Sequence, residues 1–218
     1  MPQQKADYAD DAEIDAELDE LPDDETVEAT VANLEERGFD VLVVDDADEA
    51  LAAVKSQIPA GVSVMNGHST TLEEVGFDEF LSGGDHQWES LPDQIWAIDD
   101  DAERQAARRE SQTADYFLGG INAVAQTGEL VAADLSGSRI GAYPFAAGNV
   151  VIVTGTNKIV PTLDDALDRL ESVAYPLENE RAQEAYGVES AIAKQLIYRR
   201  ETEEGRTTVV LVREQLGY

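Results

Sequence analysis

The sequence contains no cysteine and only two histidines among its 218 residues. The first absence excludes disulfide bonds, thiolate catalysis, cysteine-bound zinc and an iron–sulfur cluster held by cysteines of this chain. The histidines, His68 and His86, show neither H-x-x-x-H nor H-E-x-x-H spacing, so we predict no metal site. The phosphate-binding motif G-x-G-x-x-G, the Walker motif and the hydrolase motif G-x-S-x-G are missing as well.

Basic residues are scarce, since 15 Lys and Arg stand against 46 Asp and Glu, for a formal net charge of −31. A field of this sign repels nucleic acids and anionic membranes, and we expect neither as a partner. A disordered acidic tail would explain only residues 7–25, whereas the acid continues through the predicted helices. We therefore favour a salt-adapted, halophilic surface, because concentrated salt shortens the Debye length to about 3 Å and screens self-repulsion.

Long apolar runs are also missing. None approaches the roughly 18 residues that cross a bilayer, and the acidic N-terminus is unlike a signal peptide, so we expect a cytoplasmic protein without membrane insertion. A hydrophobic content of 43% is enough for a real core. We expect an acidic N-terminal arm at residues 1–24, frayed or partly helical and with few apolar contacts, followed by one domain at residues 25–218.

Helical and strand patterns alternate from residue 25 onward. Val27, Val31 and Leu34 lie at helical spacing, and the stretch "FDVLVV" that follows is a short, continuous apolar strand. Strands separated by helices indicate an α/β fold with a mainly parallel sheet flanked by helices. The segment "KQLIYRRETEEGRTTVVLVREQL" predicts two further strands joined by a loop that ends near Gly205.

The first candidate site is the turn "NGHS" in "VSVMNGHSTTLEEVGF", residues 62–77. Two matches to the S/T-x-x-E capping box predict that the following helix begins near Thr70 or Thr71. Free backbone N–H groups at such a helix start can bind an anion, and Gly67 permits close approach. The polar side chains that would contribute are Asn66, His68, Ser69 and Thr70. The alternative is that this turn only caps the helix and leaves His68 exposed.

Two later loops carry polar residues next to strands. In "AQTGE" the pair Thr127 and Gly128 joins two β segments, and the alternative to a site is a hairpin with a polar turn. In "VTGTNK" a strand runs into Gly155, Asn157 and Lys158, whose ammonium could pair with an anion. The alternative there is a solvated loop lysine. We hypothesise one small-molecule site at the carboxyl edge of the sheet, built from all three loops.

These loops, with the segment "YPLENERAQEAYG", resemble the lactate-utilisation (LUD) domain family over residues 25–218. In that family a strand leads to a turn of small residues, and an A-x-T-G element is followed by a serine–arginine turn, here Ser138 and Arg139. The resemblance implies a fold similar to the sugar-phosphate isomerase and CoA-transferase (NagB/RpiA/CoA-transferase-like) architecture. Many members have Glu before the Thr-Gly, where this chain has Gln126. If that Glu is a base or nucleophile, as glutamate is in CoA transferases, Gln126 weakens the case for such a role here, and Glu129, three residues on, is the candidate to substitute for it.

The resemblance also implies two functions. Members are linked to oxidation of L-lactate to pyruvate beside partner subunits that carry iron–sulfur clusters, and this cysteine-free chain is expected to hold no cofactor itself. It would then bind a small carboxylate or phosphorylated metabolite in lactate or organic-acid utilisation. Alternatively, it is a non-catalytic accessory subunit that docks on an iron–sulfur oxidoreductase. A homo-oligomer is compatible with both.

Overall fold

The computed structural model describes residues 4–9 and 12–218. In chain order its strands are β1 (Asp40–Val44), β2 (Ser63–Asn66), β3 (Glu89–Ser90), β4 (Tyr116–Gly119), β5 (Ala123–Ala125), β6 (Leu130–Asp134), β7 (Asn149–Gly155), β8 (Ile159–Val160), β9 (Lys194–Tyr198) and β10 (Thr207–Val212). Six of them form a sheet in the order β1-β10-β7-β4-β2-β3, and all its pairings are parallel. The prediction of an α/β fold with a mainly parallel sheet is confirmed.

A second sheet, of four strands, was not predicted. Its order is β8-β5-β6-β9, and β5 and β6 pair as an antiparallel hairpin. Thr127 and Gly128 form the hairpin turn, in which Gly128 has a φ of +91°, a conformation that favours glycine. The two late strands, β9 and β10, lie in different sheets: β9 is an edge strand of the smaller sheet, and β10 lies between β1 and β7 in the larger one.

The helices in the described residues are α1 (Ala6–Ala9), α2 (Asp24–Glu36), α3 (Ala47–Gln57), α4 (Thr70–Glu74), α5 (Phe77–Gly83), α6 (Leu91–Trp96), α7 (Asp101–Glu110), α8 (Leu163–Arg169) and α9 (Tyr175–Tyr186). A wide helical turn at Leu170–Ala174 joins α8 to α9. None of these helices is long and apolar enough to cross a bilayer.

The side chains of β7 alternate between the two faces of the large sheet. Val150 and Ile152 pack towards α2 and the small sheet, while Val151 and Val153 pack towards α3, α4 and α5. A further apolar cluster lies between the small sheet and α8. The fold is therefore layered, with helices outside and the two sheets inside, as the period-2 pattern of buried strands requires.

The segment before α2 packs on the domain, contrary to the expectation of few contacts. Leu18 contributes to an apolar cluster with α8, and the Asp19 carboxylate is buried in ion pairs with Arg169 and Lys5. A buried carboxylate has to be paired, so this segment is held by charge as well as by apolar contact. The rest of the predicted arm, residues 1–3, 10 and 11, lies outside the described residues.

Candidate ligand-binding cleft

A cleft of about 290 Å³ lies at the carboxyl ends of β2 and β4. Its walls come from the turn after β2, the segment around Gly120 after β4, the loop after β6, and the α8–α9 region. The carboxyl edge of a parallel sheet is where ligands bind in open α/β folds, since the loops there diverge from the strands. Of the predicted site residues, His68, Ser69, Thr70, Ser138 and Arg139 line this cleft.

The helix after β2 begins at Thr70, as predicted from the sequence. Ser69 is the N-cap, and its Oγ accepts a hydrogen bond of 3.3 Å from the Leu72 N–H. The helix α4 has only five residues, so its dipole is weaker than the predicted anion site assumed. Gly67 is needed for another reason, because a Cβ there would lie 2.9 Å from the Arg139 Cγ.

Arg139 forms the polar floor of the cleft. Its guanidinium donates to the Ala133 main-chain oxygen at 2.7 Å, and its Nε lies 3.6 Å from an oxygen of Asp134. The Asn122 Oδ1 accepts from the Ala133 N–H at 2.8 Å and from Arg139 at 3.4 Å. No described residue accepts a hydrogen bond from the Asn122 side-chain NH₂, which leaves this donor available in the cleft.

The α9 wall carries a second paired arginine. Arg181 donates two hydrogen bonds to Glu178, at 2.8 and 2.7 Å, and the Tyr218 hydroxyl donates to the same carboxylate at 3.0 Å. Burial raises the pKa of Glu178, but Arg181 outweighs it, so the pKa lies below its usual value. The pair is therefore ionised at neutral pH and its charges cancel.

The cleft contains one imidazole, held by a carboxylate. The His68 Nδ1 lies 3.2 Å from the Glu73 Oε1, which leaves Nε2 without a protein partner among the described residues. Behind Glu73, Asp78 accepts a hydrogen bond of 2.7 Å from Asn66. Burial raises the pKa of Asp78 to about 6, and the Glu73 charge adds to this effect. Such a histidine–carboxylate arrangement can accept or donate a proton at the cleft surface.

Arg108 on α7 is the arginine of the cleft without a counter-ion among the described residues. Its guanidinium makes no ion pair or hydrogen bond with any described residue, although it lines the cleft. The other two arginines of the cleft are paired with Asp134 and Glu178. Arg108, half-buried and unpaired among the described residues, is available to an anionic ligand.

A family model for the LUD domain matches residues 27–212, which is most of the chain. The chain belongs to the LUD domain family. The predicted resemblance is thereby confirmed.

Among solved structures, this LUD domain is similar to a DUF162 family protein from Deinococcus radiodurans. The identity is 14%, the alignment covers 86% of this chain and 96% of that chain, and the TM-score is 0.49. No curated protein matches the chain.

The loop "TNK" of this LUD domain lies in the interior and not in the cleft. Lys158 is 1% exposed and donates to the Thr71 Oγ1 at 2.9 Å and to the main-chain oxygens of Ile121 and Tyr218 at 3.1 and 3.3 Å. Burial lowers its pKa well below the usual value, and nearby Arg169 lowers it further. Lys158 thus holds the segment after β10 in place.

The neighbours of Lys158 have the same structural role. Asn157 donates to Asp19 at 2.8 Å and accepts from the Leu216 N–H at 3.1 Å. A Cβ at Gly155 would lie 2.6 Å from the Glu214 main-chain oxygen. The physical reason that these residues miss the cleft is that the chain after β10 passes between them and the solvent.

The turn "AQTGE" lies at the opposite end of the sheet. Arg37, which precedes β1, donates to the Thr127 main-chain oxygen at 2.6 Å and to Glu129 at 2.9 Å. A Cβ at Gly128 would lie 2.6 Å from the Arg37 Cδ, and the Gln126 main-chain oxygen accepts from Asn33. The structure therefore does not bring Gln126, Thr127, Gly128 or Glu129 to the cleft. The reason is that β5 runs away from the cleft to this turn, and β6 then runs back to the cleft.

Several cleft residues were not predicted from the sequence. Arg108 carried no signal, since it lies in a strongly charged helix that has two other arginines, Arg104 and Arg109. Glu178 and Arg181 did carry a sequence signal, because a carboxylate and a guanidinium three residues apart on a helix face each other. Asn122 was not among the predicted site residues.

Proposed function

We propose that the cleft binds a small carboxylate or phosphorylated metabolite and that the protein acts in lactate or related organic-acid utilisation. The observation that carries this proposal is the Arg108 guanidinium, which lines the cleft without a partner among the described residues. Membership of the LUD domain family supports the metabolic role. Arg108 would supply the charge, and the Asn122 amide and the Ser69 hydroxyl would add hydrogen bonds.

The local charge balance supports an anionic ligand. The cleft is lined by three arginines and three carboxylates, which are Asp134, Glu178 and Glu189, whereas the whole chain has 46 acidic residues against 15 basic ones. His68 adds a further proton-binding group. The surface as a whole repels anions, and the repulsion would be weaker at this cleft. The charge distribution therefore favours binding of an anion at the cleft over binding elsewhere on the surface.

The proposal is tested by calorimetric titration with L-lactate, pyruvate and inorganic phosphate at constant ionic strength. Arg108→Gln should weaken binding by about tenfold or more, because a hydrogen bond to a charged group contributes roughly 1.5–3 kcal/mol. Arg109→Gln, on the exposed side of the same helix, is the matched control and should bind as the wild type does. Equal affinity of the Arg108 variant and the wild type would remove the cleft from consideration.

The accessory role is a second proposal, and exposed aromatic side chains favour it. Phe145, on a helical turn before β7, is 89% exposed, and Trp96 at the end of α6 is also exposed. Aromatic residues of this kind are common at the centres of protein interfaces. If the chain docks on an iron–sulfur subunit, Phe145→Ser should abolish co-elution with that purified subunit, while Arg109→Gln should not.

A further inference from the structure

The two walls of the cleft differ in chemistry. One wall is polar and carries His68, Ser69 and Asn122, whereas the wall formed by the α8–α9 joint presents Leu170, Ala174 and Ala182. Along α9, the side chains that line the cleft change within one turn from the charged pair Glu178 and Arg181 to the apolar Ala182. A ligand with only polar groups would leave this second wall without a complementary partner.

The apolar wall continues to the mouth of the cleft. Leu135, in the loop after β6, is 55% exposed, and Val188, in the loop after α9, is 57% exposed. Both line the cleft, as does Ile192, which packs against the apolar cluster that contains Leu170 and Ala174. The loop that carries Val188 is fixed to α9, since the Ser190 N–H donates to Asn179 at 2.9 Å. The exposed apolar groups thus belong to a formed surface.

The size of the cleft is also larger than a three-carbon acid requires. Its volume of about 290 Å³ is close to the lower limit of roughly 300 Å³ for pockets that bury drug-sized ligands. A lactate ion in contact with Arg108 and Asn122 would leave the space along the α8–α9 wall filled with water. Contact of this apolar wall with water is less favourable in free energy than its contact with an apolar group of a ligand.

We propose that the ligand is a monocarboxylate with an apolar chain or ring, its carboxylate against Arg108 and the polar wall, and its apolar part along the α8–α9 wall towards Leu135 and Val188. This inference rests on the proposed anion site and adds the chemical class of the ligand. The unpaired guanidinium selects the head group, and the apolar wall selects the length of the tail.

The test is a calorimetric titration of the full chain with acetate, butanoate, hexanoate and octanoate at constant ionic strength. We expect the affinity to rise about fourfold for each methylene that becomes buried, since burying one stabilises by about 0.8 kcal/mol. Val188→Ser and Leu135→Ser should weaken octanoate binding several-fold more than they weaken acetate binding. Leu21→Ser is the matched control, because Leu21 is 52% exposed but lies outside the cleft.

The outcomes separate this inference from the proposed function. An affinity that is the same for acetate and octanoate, and is lost in Arg108→Gln, overturns the inference and leaves the anion site in place. Binding of inorganic phosphate with no binding of any carboxylate also overturns the inference and leaves the anion site in place. If none of these anions binds, both proposals fail. Chain-length dependence that survives in Arg108→Gln, or is weakened equally by Leu21→Ser, indicates non-specific binding and also overturns the inference.

Discussion

The cleft and the buried polar network beneath it use similar residues in opposite ways. In the network, Arg169 donates to Asp19 at 2.6 Å and to the Asn122 main-chain oxygen, and Asn157 and Lys5 donate to Asp19 as well. In the cleft, the Arg108 guanidinium and the Asn122 amide NH₂ have no partner among the described residues. Charged and amide groups that are fully paired fix the fold, whereas those left unpaired at a cavity are available to a ligand.

Asn122 connects the two regions. Its main-chain oxygen accepts from Arg169, inside the network, while its side chain lines the cleft. The position of a cleft donor therefore depends on a buried ion pair that includes Asp19, from the segment before α2. The acidic N-terminal segment contributes to the architecture of the site even though it does not line the cleft.

The largest effect is expected from breaking the buried network. Asp19→Asn leaves the fully buried Arg169 without its counter-ion, which should destabilise the fold by roughly 3–5 kcal/mol. Urea unfolding followed by circular dichroism measures this loss. Glu20→Gln, at the exposed neighbouring position, is the control and should change the free energy of unfolding by less than about 0.5 kcal/mol. A loss below 1 kcal/mol for Asp19→Asn would show that water replaces the carboxylate.

A second closed network gives a pH test. Burial raises the pKa of Glu201, but hydrogen bonds from Tyr198, Thr207 and Arg206 outweigh it and hold the pKa at about 2. Because the folded-state pKa lies below the unfolded value, this group stabilises the fold above pH ~4.5, and the stabilisation is lost as the pH falls towards 2. The contribution should be roughly 3 kcal/mol at neutral pH.

Glu201→Gln should therefore flatten the acid side of the stability profile between pH ~4.5 and ~2. Denaturant unfolding at a series of pH values measures this slope for the wild type and the variant. Glu203→Gln, an exposed substitution in the same loop, should keep the wild-type slope. Parallel profiles for the wild type and Glu201→Gln would show that this carboxylate is not held by its neighbours in the ionised form.

The smallest effect is expected at Asp78, which accepts a hydrogen bond from Asn66. The pKa of Asp78 is raised to about 6, mainly by burial, so the fold loses stability as the pH rises from ~4 through 6. Asp78→Asn keeps an acceptor for Asn66 and removes the charge, which should stabilise the fold at pH 8 by roughly 1–2 kcal/mol after allowance for partial exposure.

Thermal unfolding at pH 4 and pH 8 measures this difference. The stabilisation by Asp78→Asn should be present at pH 8 and should disappear at pH 4, where the wild-type carboxyl is already protonated. Asp93→Asn, a substitution at an exposed position of α6, is the control. An equal effect of Asp78→Asn at both pH values would show that the charge of Asp78 is not the cause.

The sequence predicted the class of fold and one corner of the cleft. The apolar strand patterns and the helical periods were enough for the parallel sheet, because burial on both faces leaves a local signal. The turn after β2 was also predicted from a local signal, because its capping residues and its glycine are contiguous in the sequence. The salt-adapted surface stays a prediction.

The sequence did not separate ligand-facing from structural polar residues. Lys158 and Arg108 are both basic residues in polar surroundings, and only the path of the chain after β10 shows that the first is enclosed and the second is open. The hairpin between β5 and β6 has a normal local signal, yet its destination depends on pairing with β8 and β9. Long-range placement of this kind leaves no trace in a short window of sequence.

The place of β10 in the large sheet has a consequence for how the chain reaches its native state. This strand comes later in the chain than the other described strands, yet it lies between β1 and β7. Until β10 is synthesised, β1 and β7 are separated and each presents an unpaired backbone edge. Because parallel pairing over such sequence distances closes long loops, we expect slow folding after synthesis, with a partly folded intermediate that is prone to aggregation.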